Sequence, residues 1–172
     1  MDAHARRELI LQCLSQSAEP VTGHDLSLQL GVSRQVIVQD VALLRAQGVD
    51  IVATPRGYVM AQKAVPGRAQ AVVACTHDEC SVERELMLVV QHGGEVLDVT
   101  VEHPLYGQIT GVLMLKTPDD VKQFVSELKR SGAGLLSSLT RGVHLHTIRA
   151  RDSRTLTTIL SSLAAEGFLP ED

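Results

Sequence analysis

Aromatic residues are almost absent from this sequence. The 172 residues include two tyrosines, two phenylalanines and no tryptophan. A core without large rings has to be filled by Leu, Val, Ile and Ala. Cysteines are also few, and three of them without a regular spacing do not form a disulfide framework. Their number fits a reducing compartment, so we expect a cytoplasmic protein.

Long apolar runs are absent as well. No segment is long enough to cross a bilayer, and the first residues, "MDAHARRELI", contain no signal-peptide core. We therefore expect no membrane partner. The formal net charge of −4 neither requires nor excludes a nucleic-acid partner, because binding footprints are local.

The N-terminal third has the pattern of three short helices followed by a hairpin. Apolar residues recur at helical spacing in "RRELILQCLSQS", and "VTGHDLSLQLG" begins with Thr22 and Asp25 at capping-box spacing and ends at Gly31. A third helix begins at Ser33, and "VDIVATPRGYVM" gives two short strands around a turn. This order predicts a winged helix-turn-helix, which we assign to residues 1–62 as a DNA-binding domain.

The helix that begins at Ser33 is the predicted recognition helix, because the equivalent helix of this motif enters the major groove. Arg and Gln side chains off its apolar stripe suit base recognition, since Arg pairs with guanine and Gln with adenine. A serine or exposed amides at the helix start can hold a phosphate, and an arginine at the hairpin tip can meet phosphate or the minor groove. The predicted DNA-binding residues are Ser33, Arg34, Gln35, Gln39 and Arg56.

A protein-docking winged helix is the alternative for this domain. Its first 60 residues carry five Lys or Arg against six Asp or Glu, so the domain is not basic. DNA binding is nevertheless favoured, because Arg34, Arg45 and Arg56 can lie on one side.

The remainder of the chain has a different pattern, after a linker predicted at residues 61–69. Strands and helices follow in the order strand, helix, strand, strand, helix, strand, helix. This order predicts an α+β domain over residues 70–172, with helices on one face of a mixed or antiparallel sheet. The segments are "AQAVVACTH", "CSVERELMLVVQHGG", "EVLDVTVEHP", "GQITGVLMLKT", "PDDVKQFVSELKRSG", "GVHLHTIRA" and "DSRTLTTILSSLAAEGF".

Two histidines in the apolar run "LTRGVHLHTI" indicate a metal site. His144 and His146 are two residues apart, so in a strand they share a face and stand roughly 6–7 Å apart. Two imidazoles at that spacing can reach one ion. The alternative is a pair of polar residues on a solvated strand face.

Two more donors are available earlier in this domain. His77 ends the first strand, and Glu85 falls at i+3 on the buried stripe that Val82, Leu86 and Val89 form in the following helix. A buried carboxylate is costly unless it is paired or binds a cation. Three imidazoles and one carboxylate suit a divalent ion such as zinc, nickel, manganese or iron.

The same residues have alternative roles that the spacing leaves open. Glu85 could extend its carboxylate to solvent or pair with Arg84 or Arg141, and His77 could cap the helix. A local thiolate site is a further alternative, formed by Cys75, His77 and Cys80.

Four segments occur in one order along the chain: "VSRQVIVQDVALLRAQG", "ATPRGY", "VEHPLYG" and "LTRGVHLHTI". In that order they resemble the NiaR (or YrxA) family of niacin-responsive transcriptional repressors, which join a winged helix-turn-helix to a three-histidine domain. The resemblance covers nearly the whole chain, and "LTRGVHLHTI" with an upstream "HPLYG" is its most specific part.

The resemblance implies a cytoplasmic homodimeric repressor of NAD biosynthesis or niacin salvage genes, with nicotinic acid as co-repressor. It also implies one divalent transition metal per chain in the three-histidine regulatory domain, with nickel or zinc as the first candidates. The family's ligand pattern falls on His77, Glu85, His144 and His146.

An effector site is predicted from the chemistry of nicotinate, a flat pyridine with one carboxylate. An aromatic face, an arginine or an open metal position would bind it, and we predict His103, Tyr106 and Arg141 as effector-binding residues. Core packing is the alternative for Tyr106, and a backbone hydrogen bond that fixes the turn is the alternative for His103.

Two other function classes have to be weighed. A pure metal sensor would respond to the ion itself. A metal-dependent enzyme could use three histidines and one glutamate with a vacant position. The chain offers no separate general base or nucleophile, so we predict that it is not an enzyme.

Overall fold

The computed structural model describes residues 2–61 and 68–170. The chain divides into two compact units, Met1–Ala64 and Val65–Asp172. Residues 62–67 of the predicted linker lie outside the described ranges, and Ala69 already belongs to a strand. No helix within those ranges combines the length and the apolarity that crossing a bilayer requires.

The N-terminal unit has the helices and the hairpin that its sequence predicts. Its elements are α1 (Ala3–Gln16), α2 (Gly23–Leu30), α3 (Arg34–Ala46), β1 (Ile51–Thr54) and β2 (Gly57–Met60). One apolar cluster, whose buried members are all aliphatic and against which Tyr58 packs, joins all three helices to the hairpin. Its buried members are Ile10, Leu14, Leu26, Leu30, Ile37, Val41, Leu44 and Ile51.

Helix ends in this unit follow the predicted capping residues. The Thr22 side chain accepts a hydrogen bond from the Asp25 amide at 3.0 Å, and Ser33 accepts one from the Val36 amide at 3.4 Å. Gly31 ends α2 in the left-handed conformation, with φ 65°. Helix α3, the predicted recognition helix, therefore begins where the sequence places it.

The hairpin is held to the rest of the unit by a bridge between Val21 and Tyr58, whose amides and carbonyls exchange two 2.8 Å hydrogen bonds. Gly57 precedes this bridge at φ 133°, and a Cβ there would lie 2.4 Å from the Val21 carbonyl oxygen. Only glycine fits this close approach. The glycine of "TPRGY" therefore fixes the position of the wing.

The C-terminal unit is a four-stranded antiparallel sheet with helices on one face, so the predicted α+β class is confirmed. The strands run in the spatial order β3-β6-β4-β5, and all three neighbouring pairs are antiparallel. The elements are β3 (Ala69–Thr76), α4 (Val82–Gln91), β4 (Gly94–His103), β5 (Gly107–Leu115), α5 (Pro118–Ser131), β6 (Val143–Ala150) and α6 (Ser153–Ala165). Two short 3-10 helices, Glu79–Ser81 and Leu136–Thr140, were not predicted.

Strand register decides which side chains meet the helices. In the β3–β6 pair, Cys75 lies opposite His144 and Val73 lies opposite His146. These positions share a face with Ile148, which belongs to the apolar core beneath the helices. Both histidines of the "HLH" segment are buried, so the solvated-face alternative is wrong.

The opposite face of the sheet carries a buried ion pair between Arg149 and Glu95. Arg149 follows Ile148 and so points away from the helices, where it lies across from Glu95 of β4. Its guanidinium donates to Glu95 Oε2 over 3.0 and 2.7 Å. Lys116 Nζ and Arg68 Nη1 lie 3.6 and 3.7 Å from the same carboxylate.

Candidate metal centre and recognition helix

Glu85 is the centre of a cluster that contains all four predicted metal ligands. Its side chain is 1% exposed, and His77 Nε2 lies 2.7 Å from its Oε2 atom. His144 Nε2 approaches Oε1 at 3.4 Å, and His146 Nε2 approaches Oε2 at 3.4 Å. Helix α4, the end of β3 and two positions of β6 therefore direct their side chains to one point.

Backbone carbonyls set the orientation of all three imidazoles. The Nδ1 atoms of His77, His144 and His146 lie 2.6, 2.8 and 2.6 Å from the carbonyl oxygens of Asp78, Gly142 and Asp98. A carbonyl only accepts, so each Nδ1 carries the proton and donates it. Each Nε2 then faces Glu85, which is the arrangement found in metal-ligating histidines.

The cluster is electrostatically incomplete without a positive charge. Nε2 lone pairs repel carboxylate oxygens unless a proton or a cation lies between them. Burial disfavours protonated His77, but hydrogen bonds with Glu85 and the Asp78 carbonyl, together with the charges of Glu85 and Asp78, outweigh burial and raise the pKa of His77. Burial raises the pKa of Glu85, but its interactions with the three histidines outweigh burial and lower that pKa well below its usual range.

One oxygen of the central carboxylate lacks a hydrogen bond. Glu85 Oε1 is buried and has no hydrogen-bond partner among the described residues. An orphaned carboxylate oxygen, together with imidazole nitrogens, is a donor set that suits a divalent transition metal. The residues present therefore fit the ion that the fold family implies.

Two local features position the histidines. Gly142 has φ 93°, and a Cβ there would lie 2.3 Å from the His77 carbonyl oxygen. This glycine lets the start of β6 pass close to the end of β3. A register shift between Val96 and Asp98 in β4 brings the Asp98 carbonyl to His146, and bulges of this kind are frequent beside functional sites.

Cys75 is a member of the cluster that the predicted ligand set omits. Ligand atoms of Cys75, Glu85 and His144 all lie within 4.8 Å of one another, a grouping that could bind a metal ion. Its place in the cluster follows from the strand register, which sets Cys75 opposite His144. Cys80 is exposed, so the structure does not bring it into the predicted thiolate site with Cys75.

The alternative partners proposed for Glu85 and His77 are not the ones observed. Arg84 forms an ion pair with Glu166, and neither Arg84 nor Arg141 is among the groups found on Glu85. Asp78, rather than His77, accepts the hydrogen bond from the Ser81 amide at the start of the 3-10 helix.

Arg141 is the one predicted effector residue that lies beside the cluster. It lines a pocket of about 430 Å³ together with His77, Asp78, Glu79 and Ser138. A second pocket, of about 300 Å³, reaches His144 from the side of Thr100 and Gln108. Each pocket is thus lined by one predicted ligand, His77 in the first and His144 in the second.

His103 and Tyr106 are placed differently, at the turn between β4 and β5. Their rings stack on each other with centroids 5.0 Å apart, and His103 Nδ1 accepts from the Leu105 and Tyr106 amides at 3.2 and 3.3 Å. His103 therefore fixes the turn, as its alternative role predicted. Tyr106 is 73% exposed, so core packing is wrong for it, and neither residue lines the two pockets.

The predicted recognition residues are exposed on α3. The N-cap Ser33 and the α3 residues Arg34, Gln35 and Gln39 are all exposed, and Gln35 and Gln39 lie on the side of the helix away from Ile37. Two of the unit's five arginines are engaged elsewhere, because Arg6 Nε and Arg7 Nη1 lie 2.6 and 3.4 Å from the buried Asp40 carboxylate. That ion pair ties α1 to α3 and so supports the recognition helix from behind.

Arg56 lies at the hairpin tip, as the sequence predicts, but it is engaged within the unit. Its Nη2 atom is 3.5 Å from Glu19 Oε2, and its side chain is 22% exposed. A phosphate contact would therefore compete with Glu19, which lies in the loop between α1 and α2.

Known proteins resemble both halves of the chain. Residues 6–59 match an HTH domain family, and residues 70–172 match the 3H domain family. The chain is 44% identical over 167 residues to the Thermotoga maritima protein named "Probable transcription repressor NiaR", covering 97% of this chain and 94% of that protein. It is 41% identical over 169 residues, with the same coverage, to the Bacillus subtilis protein named "Transcription repressor NadR". Because both relatives are named as transcription repressors and this chain has the HTH domain, the prediction that it is not an enzyme is confirmed.

Proposed function

Because this chain belongs to the NiaR family of DNA-binding transcription repressors, we propose that it is a metal-containing repressor that responds to nicotinic acid. Its targets are genes of NAD biosynthesis or niacin salvage, and it acts as a cytoplasmic homodimer. The observation that carries this proposal is the convergence of three Nε2 atoms on the buried Glu85 carboxylate.

One divalent transition metal per chain, nickel or zinc first, is held by His77, Glu85, His144 and His146. Support comes from the Nδ1 hydrogen bonds, which leave every Nε2 turned inward. When bound, the ion supplies a fixed positive charge and a coordination position for an anionic or nitrogen donor. The surrounding residues orient the imidazoles and exclude bulk water.

Nicotinate binds beside this centre in the pocket that His77 and Arg141 line. A guanidinium pairs with the carboxylate, and nicotinamide, which lacks that charge, binds poorly. Arg141 has φ 54°, so its backbone adopts the left-handed conformation immediately before Gly142. The roles predicted for His103 and Tyr106 in effector binding stay predictions.

Operator recognition uses the exposed polar side of α3. Gln35 and Arg34 read bases, Gln39 extends that surface, and Ser33 with the helix start holds a phosphate. Arg56 contacts the backbone after exchanging its Glu19 partner for a phosphate. A two-fold protein dimer requires a palindromic operator, with one half-site per recognition helix.

Nicotinate raises operator affinity by favouring the dimer arrangement that fits the DNA. A tenfold increase in affinity requires about 1.4 kcal/mol of coupling. One hydrogen bond between Arg141 and the carboxylate that forms only in that arrangement suffices, since bonds to charged groups contribute about 1.5–3 kcal/mol.

Operator binding, titrated separately with metal and with nicotinate, tests the proposal. The DNA is the promoter region of the source organism's NAD-synthesis and niacin-uptake genes, and nicotinamide is the matched control ligand. We expect nicotinate to tighten binding by the metal-loaded protein and nicotinamide to have little effect. A response to metal that nicotinate does not change would instead identify a metal sensor.

A further inference from the structure

The corner of the cluster between β3 and β6 contains a sulfur atom that the histidine–glutamate ligand set does not use. Cys75 lies directly across the strand pair from His144 and points to the same face of the sheet. Its side chain is fully buried. Nothing in the apolar core requires a thiol at this position, because a valine of similar size occupies position 73 on the same strand and face.

The geometry points to Cys75 as an additional metal ligand: we propose that its Sγ atom coordinates the ion that Glu85 and His144 bind. This inference rests on the proposed metal site and adds a soft donor to it. Ligand atoms of the three residues already lie within 4.8 Å of one another. Zinc–sulfur and metal–nitrogen bonds of about 2.0–2.3 Å allow one ion to span such a triangle after a small contraction.

Glu85 Oε1 gives independent support. It is the oxygen that His144 approaches, it is buried, and it has no hydrogen-bond partner among the described residues. The orphaned oxygen and the thiol thus lie in the same corner of the cluster. On coordination the sulfur–metal bond forms and the thiol proton leaves to solvent, so charge and protons balance.

A thiolate changes which ions the site prefers. Oxygen and imidazole donors alone suit manganese, nickel and zinc, whereas a sulfur donor shifts the preference towards zinc and other thiophilic ions. A family member with this cysteine is therefore expected to select its metal differently from one with an aliphatic side chain at the same position.

Cobalt(II) reports the coordination directly, because a cobalt–thiolate bond adds a charge-transfer band in the near ultraviolet. The full chain with Cys13→Ser and Cys80→Ser keeps Cys75 as its single thiol, and it is freed of metal by a chelator and then titrated with cobalt alone. We expect about one bound cobalt per chain, with the charge-transfer band. Adding Cys75→Ala should remove the band while visible cobalt transitions show that the ion stays bound; Cys75→Val repeats the test with the core filled.

The possible results separate this inference from the proposed function. Cobalt bound to the single-thiol protein without a charge-transfer band would overturn the cysteine ligand and leave the histidine–glutamate site intact. A band that survives in both Cys75 variants would also overturn it. Failure of the wild-type chain to bind cobalt, nickel or zinc would overturn both claims together.

Discussion

Glu85 and Glu95 are both buried in the C-terminal unit, but they are neutralised in different ways. Glu95 lies against Arg149 at 2.7 Å, with Lys116 and Arg68 within 3.7 Å. Glu85 is surrounded by three histidine side chains, which carry no permanent charge. Guanidinium and ammonium groups stay charged at neutral pH, so the chain itself balances Glu95.

The difference separates a structural carboxylate from a candidate ligand. Asp40 in the N-terminal unit follows the pattern of Glu95, with two arginines on one buried carboxylate. Among these three buried acids, only Glu85 depends for its neutralisation on a positive charge that binds reversibly, either a proton on a histidine or a metal ion. A site of that kind can be filled or emptied by an ion, whereas the other two are fixed parts of the fold.

The largest expected effect is a difference in the free energy of unfolding between the Glu95→Gln and Glu85→Gln variants of the metal-free protein. Glu95→Gln leaves the buried Arg149 without its counter-charge and should cost about 3–5 kcal/mol in the free energy of unfolding. Glu85→Gln strands no permanent cation and should cost much less. Urea unfolding of both variants in chelator measures this, and equal losses would remove the distinction.

Metal should reverse that order of importance. At a free metal concentration of about one hundred times Kd, we expect the wild-type chain to gain about 2.7 kcal/mol in the free energy of unfolding. Glu85→Gln should lose this gain, and Arg149→Lys, which keeps a cation beside Glu95, should retain it. The same unfolding curves with and without nickel or zinc provide the measurement.

A smaller effect is expected at the glycine that lets β6 pass His77. Gly142→Ala places a methyl group against the His77 carbonyl. It should weaken metal binding by about 10–100-fold, which is the usual effect of losing a group that orients a metal ligand. Gly132→Ala is the matched control, because that glycine is also left-handed but has open space around its Cβ position. Calorimetric titration with metal compares them, and equal affinities would show that Gly142 does not position the ligands.

The smallest expected effect concerns the effector. Arg141→Ala should reduce the increase in operator affinity caused by nicotinate by about tenfold, or ~1.4 kcal/mol, while metal content stays at the wild-type value. Arg151→Ala, at an exposed arginine beyond the end of β6, is the control and should respond normally. Operator titration with and without nicotinate provides the measurement. A wild-type increase in affinity in Arg141→Ala would show that another residue binds the nicotinate carboxylate.

Local patterns in the sequence predicted most of the fold. Caps at Thr22 and Ser33, glycine stops and the period of apolar residues act within one element, so they can be read without tertiary information. The buried stripe of α4 likewise predicted that Glu85 points inward. Strand order, the bulge before Asp98 and the two 3-10 helices depend on contacts between distant segments, which no local pattern contains.

Local spacing also predicted part of the candidate metal site, but not all of it. Spacing brought His144 and His146 together, and helix periodicity added Glu85, but Cys75 enters through its pairing with His144 across two strands. His103 and Tyr106 were chosen for their chemistry, and the stacking of their rings at a turn was not predicted. Ligand chemistry names suitable residue types, whereas only the register shows which of them meet.

Metal content measured after dialysis tests the central claim most directly. Wild-type protein, Glu85→Gln and Glu95→Gln are each loaded with nickel or zinc, dialysed, and assayed for metal and protein concentration. We predict about one ion per chain in the wild type and in folded Glu95→Gln, and almost none in Glu85→Gln. Equal metal content in all three would contradict the assignment of Glu85 as the centre of a metal site.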